Sequence, residues 1–139
     1  MIEIDQRWKL SELLTEDGAG VIELWMNGLS DEVRAQLEVR LINWASSDRL
    51  LETYASVVEL DTAGERFQPL HKLRVIELLF GRVVYRIFGT DFDPREFVML
   101  FGEIDPLRRG KFSAETMKHA KDRLDFFRKN PGSRREYEI

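Results

Sequence analysis

The stretch LRVIELLFGRVVYRIFGTDFDPREFVMLFGEIDPLRRGKFSAETMKHAKDRLDFF, residues 73 to 127, decides the fold. Leu73 to Phe80 and Val83 to Phe88 are apolar and rich in β-branched residues, which fits two strands. Gly81-Arg82 between them is a two-residue hairpin signal of the Gly-X type. Glu96 to Phe101 is apolar on both faces, which predicts a central strand. Gly89 to Pro94 reads as a hairpin loop, and Gly102 to Gly110 as a longer one. Ser113 stands as an N-cap before Ala114, Met117, Ala120, Leu124 and Phe127, which recur at helical spacing. Asn130-Pro131-Gly132 then stops the helix.

Upstream of this stretch, Ser30 fits an N-cap, with Asp31 and Glu32 in the first turn where acidic groups suit the helix dipole. Val33, Leu37, Leu41 and Trp44 form one apolar stripe, so the spacing predicts a helix from Asp31 to about Ser46. Ala19 to Asn27 reads as a shorter helix, ended by Asn27-Gly28. Arg49 to Ser56 reads as a further turn or two of helix. Trp8 to Leu14 is open between a strand and a helical turn, and Asp61 to Pro69 reads as a loop. Helices, then an antiparallel meander, then a helix make an α+β layout. The N-terminal helices would pack on one sheet face, leaving the other open to a ligand.

The chain has 139 residues and reads as a single domain over 1–139, with 130–139 expected to fray. It has no Cys, so disulfides and thiolate metal sites are excluded, and a reducing cytoplasm is expected. The start, MIEIDQRWKL, lacks the apolar core of a signal peptide, and the longest apolar run is too short to cross a bilayer. The net charge of −4 hides an asymmetry. Met1 to Glu65 holds 5 Lys/Arg against 14 Asp/Glu, a charge of −9. Arg66 to Ile139 holds 16 against 11, a charge of +5. A basic half can sit on phosphates; equally, each half can simply carry solvated charged faces.

The pieces Leu73-Arg-Val-Ile-Glu-Leu-Leu79, Tyr85-Arg86-Ile87-Phe88 and Phe97-Val-Met-Leu-Phe-Gly102, with Ala120 and Arg123 on the last helix, stand in a telling order. So does the early VIELWMNGL of Val21 to Leu29. Together they resemble the RelE/HigB-like toxins of type II toxin–antitoxin pairs, in their phage-derived branch. The resemblance implies a ribosome-associated endoribonuclease that cuts mRNA without a metal or other cofactor and is held by an antitoxin protein. A ribose 2′-OH attacks the adjacent phosphate, which needs a base, a cation at the phosphoryl oxygens and an acid at the leaving oxygen.

On that resemblance, Arg86 would bind the scissile phosphate, with Arg108 and Arg109 assisting and His71 and Tyr85 as further catalytic candidates. Arg74, Arg82 and Lys111 would contact nucleic acid. Each has an ordinary alternative. Arg86 can pack its stem in the sheet and pair with Glu77 or Glu103 across the strands. Arg108, Arg109 and Lys111 can be a solvated loop, His71 a loop histidine, and Tyr85 sheet packing. Leu79 stands where the family often has Arg, and Glu103 and Asp105 precede the basic pair. Those departures and the acidic chain motivate the alternative function: a catalytically degenerate phage or prophage protein that uses the same fold to bind a host protein. Asp91-Phe-Asp93 and Glu103/Asp105 are too few oxygen ligands for a divalent ion and read as turn formers, so no metal is expected. His119 reads as an exposed helix histidine.

Overall fold

The computed structural model describes residues 8–46, 56–58, 73–92, 95–106 and 113–139. Within them lie β1 (Lys9–Leu13), α1 (Val21–Asn27), α2 (Asp31–Ala45), β2 (Ser56–Val58), β3 (Leu73–Phe80), β4 (Val83–Phe92), β5 (Glu96–Asp105), α3 (Ala114–Lys129) and β6 (Arg134–Glu136). The strands form one sheet in the order β2-β3-β4-β5-β1-β6. The architecture is α+β, with helices on both sheet faces.

Local chemistry explains the helices. The Ser30 hydroxyl accepts from Val33 N at 3.2 Å, and Ser113 accepts from Thr116 N at 3.1 Å, so both longer helices start on an expected cap. Gly81, at φ +65°, makes the β3–β4 turn, in the left-handed region that favours glycine. The meander runs further than its composition predicts. β4 continues through Gly89, Thr90 and Asp91, and β5 through Glu103 and Asp105, all read as loop from sequence. A register shift after Phe88 leaves Leu100 as an extra residue in β5. Gly89 is required there: a Cβ would sit 2.4 Å from the Phe97 ring and 2.6 Å from the Val98 carbonyl.

Side chains alternate across the strands, so the sheet carries two cores. On one face α1 and α2 bury Ile22, Met26, Leu37 and Leu41 against Ile76, Ile87 and Met99. Trp44 packs between Trp8 and Phe97, with ring centroids 5.4 and 4.7 Å away. On the other face α3 buries Ala120, Leu124 and Phe127 against Leu13, Phe88 and Val98. This corrects the expectation of an open sheet face. The apolar stripe of α3 needs an apolar surface, and Phe88, Val98, Leu100 and Phe101 supply it.

Trp8 to Leu14 is resolved in favour of a strand. β1 runs parallel to β5, with Leu10 beside Phe97, so the sheet is mixed rather than a pure meander. The tail expected to fray instead forms β6, antiparallel to β1. Three contacts hold it. Tyr137 is buried, Arg134 Nε donates to Glu96 Oε2 at 2.6 Å, and Arg135 Nε reaches Glu12 Oε2 at 3.3 Å. Glu12 is itself buried, and its Oε1 accepts from Ile22 N and Glu23 N, both at 2.9 Å. A strand carboxylate therefore caps α1, a helix with no side-chain cap of its own. Gly20 makes room for it, since a Cβ there would lie 2.2 Å from the Glu12 carboxyl.

The Tyr137 hydroxyl is buried with no hydrogen-bond partner among the described residues. Burial, then the nearby Glu38 carboxylate, pushes its pKa up to about 12. An unsatisfied buried hydroxyl costs stability, so Tyr137→Phe is expected to raise the unfolding free energy by about 1 kcal/mol. Urea unfolding measures it, and a loss of stability would show that the hydroxyl has a partner in solution. The helix expected over Arg49 to Ser56 and the loop from Asp61 to Pro69 fall on residues outside the described set, except that Ser56 begins β2.

Candidate functional site

Arg86 lies in the middle of β4, opposite Glu77 of β3 and Glu103 of β5. Residues opposite each other across a ladder share a face, so both carboxylates meet the guanidinium. Asp105, two residues beyond Glu103, joins from the same face. Arg86 Nε donates to Glu77 Oε2 at 3.0 Å. Its Nη1 donates to Asp105 Oδ2 at 3.0 Å and Glu103 Oε2 at 3.4 Å. The Arg86 and Asp105 side chains are 5% and 4% exposed, whereas Glu77 remains 44% exposed. Burial works against the charge of Arg86, but its hydrogen bonds to Glu77 and Asp105 outweigh that and hold its proton more tightly than in a free arginine. One guanidinium against three carboxylates gives these four side chains a formal charge of −2.

The cluster is tied to the first turn of α3. The Thr116 hydroxyl donates to Glu103 Oε1, and the Ser113 hydroxyl donates to Thr116 Oγ1 at 3.0 Å. Beside it opens a cleft of about 290 Å³, lined by Glu103, Ser113, Glu115, Thr116 and His119 around Phe101. His119 sits edge-on to the Phe101 ring at 4.7 Å. Among the described residues, the carboxylates of this cleft are Glu103 and Glu115.

The other candidates do not gather here. Tyr85 precedes Arg86 and so points to the opposite face, where it is half-buried against the α1–α2 core. The sheet lies between the two side chains, which corrects the expectation that Tyr85 and Arg86 act in one site. Arg74 also faces that side. It is 8% exposed, with its Nε donating to Asp91 Oδ2 at 2.9 Å, so it is a packed ion pair rather than an RNA-facing cation. Asp91 is thereby used in a strand pair rather than as a turn former. Arg82 is exposed in the β3–β4 turn. Leu79, where the family often carries Arg, is 51% exposed on the Arg86 face. His71, Arg108, Arg109 and Lys111 lie outside the described residues, as does Asp93.

Of the two carboxylates named from sequence as alternative partners for Arg86, both are used. Asp105 was missed because Asp105-Pro106 reads as a turn. The signal that could have found it is its even spacing from Glu103. Among the described residues no group of three or more His, Asp and Glu could hold a metal ion, and no helix is long and apolar enough to cross a membrane.

A scan of protein-family models, a search of curated proteins and a search of solved structures each found no match to this chain.

Proposed function

We propose that this chain is a RelE/HigB-like domain that has given up RNA cleavage and works by binding a host protein. The carrying observation is the state of Arg86. The residue that would meet the scissile phosphate is buried and already neutralised by Glu77, Glu103 and Asp105. A phosphate would have to displace three carboxylates from their hydrogen bonds with Arg86. The strand–turn–strand–strand–helix order of Leu73 to Lys129 supports the family reading, and the half-exposed Leu79 supports the loss of chemistry.

A second reading, the active ribosome-associated endoribonuclease with an antitoxin partner, draws on the +5 charge of Arg66 to Ile139. In that reading Arg86 binds the scissile phosphate, with Arg108 and Arg109 assisting. Either reading suits a cytoplasmic protein.

Cell-free translation with purified protein separates the two. The expected result is full-length product and intact mRNA at protein concentrations equal to the ribosomes. Truncated mRNA with the wild type, abolished by Arg108→Ala/Arg109→Ala, would overturn the binding-protein reading and restore the nuclease.

A further inference from the structure

β6 is an edge strand, and the chemistry around it is specific about what could join it. The Ser133 carbonyl and the Tyr137 amide both face β1, accepting from Leu14 N and donating to Leu10 O at 2.9 Å each. Alternation along an antiparallel strand therefore turns the backbone groups of Arg134 and Glu136 away from β1, where no described strand takes them. Next to this edge lies a cavity of about 490 Å³, with Leu10, Ile42, Tyr137 and Ile139 in its wall. Ile42 and Ile139 are 38% and 52% exposed, and Val39, one turn from Ile42 on α2, is 53% exposed. An open backbone edge beside an apolar groove has the two parts that strand addition uses: main-chain hydrogen bonds for affinity, and a pocket for alternate side chains.

The charges select the guest. The two arginines of β6 are already engaged, Arg134 with Glu96 and Arg135 with Glu12. The carboxylates beside them, Glu136 and Glu138, are exposed on the cavity rim. A second copy of this edge would set the same two glutamates against them. We propose that the β6 edge and the adjoining α2 groove dock an extended segment of a partner protein in which apolar residues alternate with basic ones. The apolar residues fill the groove at Ile42 and Ile139, and the basic ones face Glu136 and Glu138. The proposal rests on the binding-protein reading and names the chemistry of that partner.

The probe is a short fluorescent peptide of alternating Val and Lys, compared with a Val/Glu peptide and a Val/Lys peptide interrupted by Pro. Saturable binding of the Val/Lys peptide is expected, weakened by salt. E136K/E138K, on exposed side chains, is expected to weaken it about tenfold or more, and the Pro-containing peptide to bind comparably poorly. Bound peptide should slow hydrogen exchange at the Arg134 and Glu136 amides, with Arg135 already protected. Lack of binding, equal binding by E136K/E138K, or protection elsewhere would overturn the proposal. So would concentration-dependent self-association that protects the same amides without peptide, since the edge then belongs to a second copy. Intact mRNA in the translation assay with no peptide binding overturns only the docking surface; cleaved mRNA overturns the reading beneath it.

Discussion

Arg86→Ala is expected to cost stability before it costs any activity. Removing the guanidinium leaves Asp105 buried at 4% exposure, with Glu103 and Glu77 facing it. Breaking a buried ion pair from one side typically costs about 3–5 kcal/mol, because the remaining charge loses its counterion while still shut away from water. The lower end is expected here, since Glu77 reaches solvent and can turn outward. Arg86→Lys should fall between, because it keeps the charge and loses the fork that serves Glu77 and Asp105 together. Urea unfolding measures all of this. An alanine variant as stable as the wild type at neutral pH would mean that the guanidinium is not bound by its carboxylates in solution and is available to a ligand.

Glu12→Ala is expected to be nearly as damaging, at a site far from any chemistry. It removes the acceptor for two helix N–H groups, vacates buried space and strands Arg135 at the edge of the sheet. Unsatisfied buried donors cost about 1–3 kcal/mol each, and relaxation recovers part of that, so a loss of roughly 2–4 kcal/mol is expected. Glu12→Gln discriminates between cap and charge. Both N–H groups bind the same oxygen, Oε1, so an amide can retain them while losing the attraction for Arg135. About 1 kcal/mol is then the expected cost. Equal losses for Ala and Gln would show that the pairing with Arg135, not the helix cap, is what matters.

The elements whose cause is local were legible in the sequence. Ser30 and Ser113 cap the helices that follow them, and the stripes Val33–Leu37–Leu41 and Ala120–Leu124–Phe127 point inward as their spacing requires. Gly81-Arg82 makes its turn. What was not legible depends on partners distant in the chain. Nothing within KLSEL says that it pairs in parallel with β5, or that SRREYEI will return to its other side. Composition marked Gly89 to Asp91 as loop, yet the missing side chain of Gly89 is what lets Phe97 cross the strand. In the site, a period of two was enough to offer Glu77 and Glu103 to Arg86. Burial decided that they hold it, and burial is a property of the packed sheet and α3 rather than of the strand.

The pairing of β1 with β6 has a consequence for how the molecule is made. Glu12 and Arg135 stand 123 positions apart, and β1 also waits for β5. During synthesis β1 leaves the ribosome early and has no strand to join until most of the chain has followed. Loop-closure entropy makes such pairings late, and a topology rich in them folds slowly. The hairpin of β3 and β4 can form on the nascent chain, whereas the carboxylate that caps α1 comes into place only when β1 docks. A pause in translation between β4 and β6 would therefore expose Leu10 and Leu13 for its duration, making that interval the one in which aggregation or chaperone capture competes with folding.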